Sequence, residues 1–168
     1  MNTNPEIQDL EIVPSKKRRK GDGGTYLVVA DDSDEFRLAL KYACQAAINH
    51  RAHVGILRIL DDSEFQHWGA IEEKLKREQR IQAESYIWTV AGLANECGGI
   101  VPSLYFEEGD SHDALIKTID ADENIIKLVL GGRGGGTPGP LVSYCVGKGL
   151  EKLRVPVVVV PGHLKDFA

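Results

Sequence analysis

The chain has 168 residues, of which 42% are hydrophobic and 27% are charged, and this is the composition of one soluble globular domain. Its 20 basic and 25 acidic residues give a formal net charge of −5, which disfavours a nucleic-acid-binding protein with a basic face. No apolar run approaches the roughly 20 residues of a membrane-spanning helix. The N-terminus also lacks the apolar stretch of a signal peptide. These features exclude a membrane protein and a secreted one.

The cysteines and histidines indicate neither a disulfide framework nor a metal site. Cys44, Cys97 and Cys145 form no C-x-x-C pair, and the five histidines show no metal-binding spacing. Disulfides are rare in the cytosol, so an odd number of cysteines favours reduced thiols in a cytoplasmic protein.

The first 24 residues differ in composition from the rest of the chain. They contain two prolines, a glycine cluster and a basic run from Lys16 to Lys20. Such a stretch cannot bury enough apolar surface to offset its ordering entropy, so we expect a disordered tail before a domain at 25–162, with a short C-terminal tail at 163–168. The basic run is a solvated tail or a nuclear-import or nucleic-acid patch. The solvated tail is favoured because five charges in a flexible segment give only weak, salt-sensitive attraction.

From residue 25 onward, apolar runs alternate with helical patterns. The first strand, 26–30, ends at Asp31-Asp32-Ser33, and Glu35 completes a capping box with Asp32. The helix that follows has an apolar face made by Phe36, Leu40, Ala43 and Ala47. The second strand is 53–60, and a long helix at about 64–96 follows it, with a core stripe at Ala83, Ile87, Val90, Ala91 and Ala94.

The remaining predicted elements continue the alternation. They are a strand at 100–106, a helix at 111–119 capped by Asp110 or Ser111, a strand at 126–130, a helix at 141–153 and a strand at 155–161. Parallel strands need crossovers, and the crossovers are right-handed. The pattern therefore predicts an α/β fold with an open, doubly wound, five-stranded parallel sheet.

Ligands of such sheets bind outside the carboxyl ends of the strands. Asp31, the region of Ile59 and the glycine-rich loop at 131–140 are predicted to share that rim. Glycine lets a backbone approach a phosphate closely, so the loop is either a phosphate cradle or a flexible connection. The text G-x-G-x-x-G from Gly134 to Gly139 follows the fourth strand rather than the first, which argues against a dinucleotide site.

The chain resembles the universal stress protein family over about 25–160. The resemblance rests on the first strand running into Asp31-Asp32-Ser33, on LVLGGRG at 128–134 and on VPVVVV at 155–160. Family members that bind ATP carry G-x-x-G, nine residues, then G-S or G-T. Gly131 and Gly134 match the first half, whereas Ser143 and Tyr144 fall on the second half after a loop one residue shorter. The resemblance also implies base and ribose contacts at Ala30, Asp31 and Ile59.

Two segments resemble a bacterial branch of the family whose loop is rebuilt around Gly-Pro-Gly-Pro. They are EFQHW at 64–68 and GPLVS at 139–143. Tyr144 adds bulk where a small residue would contact phosphates, and Pro138 and Pro140 lack the N–H donor. We therefore expect weak or no binding of ATP with magnesium, and the alternative is an adenine-nucleotide sensor with at most slow hydrolysis.

The resemblance further implies a homodimer that forms through the last strand. The candidate interface residues are Val155, Val157, Val158, Val159 and Val160, and an apolar edge strand of this kind needs a partner. Ser111, His112 and Asp113 are the residue types of a hydrolytic triad, but adjacent residues at the start of a helix point in different directions and cannot form one. No general base or P-loop lysine is evident either. The sequence thus favours a non-enzymatic, dimeric stress-response module that regulates a protein partner of unknown identity.

Overall fold

The computed structural model describes residues 23–31, 33–61 and 69–164, with side chains from residue 73 onward in the last range. Three sequence features lie outside the described residues. They are the first 22 residues of the predicted tail, with the basic run from Lys16 to Lys20, the EFQHW segment at 64–68 and the last four residues.

The sheet has five parallel strands, which confirms the predicted architecture. The strands are β1 (Thr25–Ala30), β2 (His53–Leu60), β3 (Ser103–Glu108), β4 (Ile125–Gly132) and β5 (Val157–Pro161). Their order is β3-β2-β1-β4-β5, with every neighbouring pair parallel. The chain moves outward from β1 to β3 and then returns to the other side of β1, so the direction of winding reverses between β1 and β4.

Helices cover both faces of the sheet and bury two apolar clusters. The helices are α1 (Asp34–His50), α2 (Gly69–Glu96), α3 (Ser111–Ala121) and α4 (Pro140–Val146). The first cluster lies under α1 and α2, and the second lies under α3 and α4. The predicted apolar face of α1 is buried as expected. Of the predicted stripe on α2, Ala91 alone is half-buried rather than buried.

The N-terminus of α1 is capped one residue later than the sequence predicted. Ser33 is the N-cap, and its hydroxyl accepts a hydrogen bond from the Phe36 N–H at 3.1 Å. The predicted partner of Glu35, Asp32, lies outside the described residues. The cap of α3 is Asp110, whose carboxylate accepts from the backbone N–H groups of His112 and Asp113.

Two predicted strands begin too early in the sequence because a proline precedes the true start. The third strand begins at Ser103, after Pro102, and the fifth begins at Val157, after Pro156. Proline has no N–H to donate to a sheet. The carbonyl of Pro156 still accepts from the Leu128 N–H at 3.0 Å, so it guides β5 onto β4.

The predicted helix at 141–153 is broken into α4 and a short 3₁₀ turn at Leu150–Lys152. Gly147 ends α4, and its N–H donates to the Tyr144 carbonyl at 3.2 Å. Gly149 lies directly against the Tyr144 ring, because a Cβ there would come within 2.6 Å of Cζ. Helix propensity is lowest at glycine apart from proline, so two glycines within three residues favour the break.

Candidate functional site

A small cleft opens where the direction of winding reverses, at the carboxyl ends of β1 and β4. Ligands of doubly wound sheets bind at this position. The cleft has a volume of about 90 Å³. Its walls come from the end of β1, the first turn of α1 and the segment from Leu130 to Val142. The residues that line it are Val29, Asp31, Ser33, Glu35, Phe36, Leu130, Gly131, Arg133, Pro138, Gly139, Pro140, Leu141 and Val142.

The Asp31 side chain is held in place by the turn that starts α1. Its Oδ1 accepts from the Ser33 backbone N–H at 2.9 Å and also from the Ser33 hydroxyl. That hydroxyl in turn caps Phe36. Asp31 is exposed, so its second carboxylate oxygen can meet a ligand while the first organises the turn.

Two long side chains donate hydrogen bonds to the backbone carbonyls at the end of β1. Arg58 Nη1 donates to the Ala30 carbonyl at 3.1 Å. The Tyr86 hydroxyl, from α2, donates to the Asp31 carbonyl. The Arg58 guanidinium carbon also lies 5.0 Å from the centre of the Tyr86 ring, a cation–π contact. The part of the rim expected to read a base and ribose is therefore tied to β2 and α2 by internal hydrogen bonds.

The two glycines of the G-x-x-G pattern have different surroundings. A Cβ on Gly131 would lie 2.8 Å from Glu35 Cβ and closer still to the Glu35 carbonyl, so close packing against α1 requires this glycine. A Cβ on Gly134 would meet no atom within 4 Å. Gly131 and Gly132 belong to β4, where they pair with Val160 and Pro161, and the loop is thus shorter than the sequence indicated.

The charged groups at the cleft are mainly acidic. Asp31 and Glu35 bring two carboxylates, and Arg133 brings one guanidinium, whose Nε lies 3.8 Å from Glu35 Oε1. Arg133 is exposed, so this ion pair is weak. Its backbone N–H donates to the Pro138 carbonyl at 3.1 Å and closes the loop on itself.

The structure brings only some of the predicted site residues together. Asp31 and Gly131 both line the cleft, and Ala30 lies beside it in β1. Ile59 packs against the cluster under α3 and α4, and Ser143 is exposed on α4.

Tyr144 and Gly134 are also absent from the residues that line the cleft. Tyr144 is buried on the α3 side, where its ring stacks on His112 with centroids 3.9 Å apart. The ring therefore packs within the fold rather than toward the rim.

Sequence reasoning missed Arg58, Tyr86 and Glu35 as rim residues. Tyr86 lies 55 residues from Asp31 along the chain, and no local pattern marks that contact. Glu35 was assigned to a helix cap, yet its backbone is what Gly131 packs against. An arginine within the apolar strand β2 was the one available signal, because a buried charged stem needs a partner.

The five valines predicted for a dimer interface do not share one environment. Val155 and Val160 are buried, Val157 and Val158 pack half-buried on the two core clusters, and only Val159 is exposed, at 36%. β5 is nonetheless an edge strand with β4 as its single neighbour among the described strands.

Other classes of site find no support in the described ranges. Within 23–31, 33–61 and 69–164, no three histidine, cysteine or acidic side chains cluster in a way that could hold a metal ion. Among the helices that the structure describes, none combines the length and apolar character needed to cross a membrane.

The fold and the cleft define a doubly wound α/β protein of the kind that binds ligands at its topological switch point. The universal stress protein family profile matches residues 25–161, and the chain belongs to that family. A comparison with curated protein sequences finds no match.

Several solved structures share the fold. Universal stress protein UspA from Lactobacillus plantarum is 20% identical, with 84% of this chain and 99% of that chain covered and a TM-score of 0.68. A family member from Burkholderia pseudomallei is 18% identical, with 82% and 96% covered and a TM-score of 0.64. A universal stress protein from Archaeoglobus fulgidus, solved in complex with dAMP, is 16% identical, with 81% and 96% covered and a TM-score of 0.57.

Proposed function

We propose that this universal stress protein is a non-enzymatic, dimeric regulatory module that binds Mg-ATP weakly or not at all. The observation that carries the proposal is the cleft at the switch point, which is small and has two carboxylates, those of Asp31 and Glu35, in its lining. Pockets for small molecules usually have volumes of roughly 300–1,000 Å³. A cleft of about 90 Å³ would have to open before it could enclose a nucleotide.

Charge and hydrogen-bond donors at the rim also disfavour a triphosphate. Asp31 and Glu35 place two negative charges at the cleft, and Arg133 supplies one positive charge that already faces Glu35. Pro138 and Pro140 remove two backbone N–H groups from the loop. A triphosphate would therefore meet repulsion and few donors, whereas phosphate sites normally offer several N–H groups and cations.

The loop itself supports a role other than a phosphate cradle. The run Pro138-Gly139-Pro140 places Gly139 at φ +109°, and α4 starts directly at Pro140. A proline at the first position of a helix fits its fixed φ. We infer that this loop is the rebuilt, proline-containing form of the bacterial branch and that it presents a stiff surface to a protein partner.

A titration of the full chain with Mg-ATP tests this proposal. We expect no measurable heat at millimolar nucleotide and no shift of the melting temperature. Micromolar affinity would instead stabilise the protein by about 4 kcal/mol at millimolar ATP, a shift of many degrees. That result would overturn weak binding.

The alternative is an adenine-nucleotide sensor with at most slow hydrolysis. One observation favours it, namely that Asp31 and Gly131 do meet at the cleft. The Archaeoglobus fulgidus relative in complex with dAMP has the same fold. If binding is found, Gly134→Val identifies the loop as the phosphate contact, because nothing in the ligand-free fold occupies the space at Gly134.

We further propose that two copies pair through β5. The outer backbone edge of β5 faces away from β4, and the Val159 side chain in this strand is 36% exposed. Two more exposed apolar side chains, Val146 at 53% and Leu150 at 56%, lie on α4 and the turn that follow the loop. An unprotected apolar edge is a ready template for pairing with another chain.

Sedimentation of Val159→Asp tests the dimer. A two-fold interface contains the same surface patch from both copies, so the substitution would bring a carboxylate from each copy into the apolar contact and the mass should fall from dimer to monomer. Val101→Asp is the matched control, because Val101 is 83% exposed before β3 at the opposite edge of the sheet. A Val159→Asp variant that is folded and still dimeric would contradict pairing through β5.

A further inference from the structure

Two of the three thiols meet on the side of the molecule covered by α1 and α2. Cys44 is fully buried in α1, within the first apolar cluster. Cys97 is exposed and follows α2 directly, with its N–H donating to the Leu93 carbonyl at 3.2 Å. Cys97 is close enough to Cys44 to contribute to the raised pKa of the Cys44 thiol, although 53 positions separate the two residues in the sequence. An exposed thiol thus lies against a buried one.

The packing around the pair holds this contact in place. The residue after Cys97 is Gly98, and a Cβ there would lie 2.6 Å from Ile48 Cδ1. Ile48 is one helical turn beyond Cys44 on α1, so the turn after α2 contacts two successive turns of α1. Gly98 and Gly99 have φ of +134° and +73°, which is a glycine-built C-terminal turn. The sequence therefore provides both the thiols and the close approach that joins them.

We propose that Cys97 and Cys44 form an oxidation site that a hydroperoxide converts into an intrachain disulfide. Cys97 is the residue that reacts first, because it is exposed whereas Cys44 is buried. Cys44 is the resolving residue, because the turn that carries Cys97 packs against α1 one helical turn from Cys44 and the two thiols are neighbours. The bond would tie the centre of α1 to the C-terminal end of α2.

The chemistry balances with a hydroperoxide as the oxidant. The Cys97 thiolate attacks the terminal peroxide oxygen, the O–O bond breaks, and Cys97 becomes a sulfenic acid while the peroxide leaves as water or an alcohol. The Cys44 sulfur then attacks the Cys97 sulfur, the S–O bond breaks, and the proton of Cys44 leaves with the hydroxide as water. Two thiols have lost two electrons and two protons, and the peroxide has gained them.

Burial sets the order and the speed of the two steps. Burial, with a smaller contribution from the neighbouring Cys97, raises the pKa of the Cys44 thiol to about 12. Cys44 is therefore protonated at neutral pH and does not react first, since the thiolate is the nucleophile. Its attack on the sulfenic acid should speed up as the pH rises from 7 toward 9. Cys145 is a natural control, because it is buried on the other face of the sheet in the cluster under α3 and α4.

The test treats the full chain with hydrogen peroxide, then unfolds it, alkylates the free thiols and maps the peptides by mass spectrometry. Before alkylation the intact oxidised chain should be about 2 Da lighter than the reduced chain, and the peptide map should contain one linked pair of peptides with Cys44 and Cys97. Cys145 should remain alkylated. The oxidised protein should melt on the order of 5 °C higher than the reduced one, and added dithiol should reverse the shift.

Single variants separate the two roles. Cys97→Ser should abolish the loss of 2 Da, and Cys145→Ser should leave it unchanged. Cys44→Ala should leave a sulfenic acid on Cys97 that a dimedone probe traps. If Cys44→Ala fails to fold, the peptide map of the wild-type chain decides alone. A wild-type Cys97 that stays reduced, that advances to sulfinic acid beside an alkylated Cys44, or that links only to a second chain would overturn the proposal.

Discussion

The segment from Gly131 to Tyr144 has two packed ends and an open middle. At the first end, Gly131 lies so close to the Glu35 backbone that no side chain fits between them. At the last end, Tyr144 is buried and stacks on His112. In the middle, Gly134 has no atom within 4 Å of the position where a Cβ would lie.

The difference shows that the two glycines of the G-x-x-G pattern can be required for two separate physical reasons. Gly131 is demanded by the fold itself, because β4 and α1 must approach closely before any ligand arrives. A side chain at Gly134 would meet no other atom of the chain, so only a ligand or a partner would require glycine at this position. A match to the motif therefore supports the family and does not by itself establish a phosphate site.

The largest expected effect comes from Gly131→Ala, which tests whether close packing against Glu35 requires this glycine. The new Cβ would overlap the Glu35 carbonyl at the start of α1, where helical backbone cannot move independently. We expect the free energy of unfolding to fall by about 3 kcal/mol in urea denaturation. Gly92→Ala is the matched control, because a Cβ at Gly92 meets nothing and alanine favours the α2 helix. If Gly131→Ala lowered the unfolding free energy by no more than an ordinary surface substitution, close packing of Gly131 against Glu35 would be contradicted.

The opposite end gives the second largest effect. Tyr144→Leu removes the stack on His112 and leaves part of the ring volume empty, so we expect a loss of about 2 kcal/mol in unfolding free energy. A double-mutant cycle with His112→Ala should show coupling between the two rings. Mg-ATP titrations should not change. If Tyr144→Leu altered nucleotide binding without loss of stability, the tyrosine would belong to the site after all.

Sequence features predicted the parts of the fold that depend on local contacts and missed those that depend on residues far apart in the chain. The β-branched runs located all five strands, and Asp31 and Gly131, which follow or end two of these strands, both line the cleft. The extension of β4 through Gly132 was not predictable, because its partner Pro161 lies 29 positions later in the sequence. The break after α4 had a visible signal in Gly147 and Gly149, which the apolar periodicity outweighed.

The contacts at the carboxyl end of β1 were the least predictable part of the candidate site. The sequence alone makes Tyr86 one more residue of a long, mixed-charge helix. Its hydroxyl reaches the Asp31 carbonyl only because α2 packs across the ends of β1 and β2. Contacts between residues so far apart in the sequence depend on how the helices pack on the sheet, which the spacing of apolar residues does not reveal.

A smaller effect tests whether the Tyr86 hydroxyl stabilises the carboxyl end of β1. Tyr86→Phe keeps the ring under Arg58 and deletes only the hydrogen bond to the Asp31 carbonyl. We expect a loss of about 1 kcal/mol, the usual net value of one such bond. Trp88→Phe on the exposed face of the same helix should change stability less. Equal effects would show that the hydroxyl contributes nothing beyond ring packing.

The smallest expected effect comes from the open middle of the segment. Gly134→Ala places a methyl group where no atom lies within 4 Å, and the φ of Gly134 is not in the positive region that alanine avoids. We therefore expect a change in unfolding free energy under about 0.5 kcal/mol. The value of this variant lies in its contrast with Gly131→Ala, since both make the same chemical change three residues apart. If Gly134→Ala destabilised the protein as much as Gly131→Ala, the loop would have to pack against a part of the chain or a second copy, and the open middle would itself be an interface.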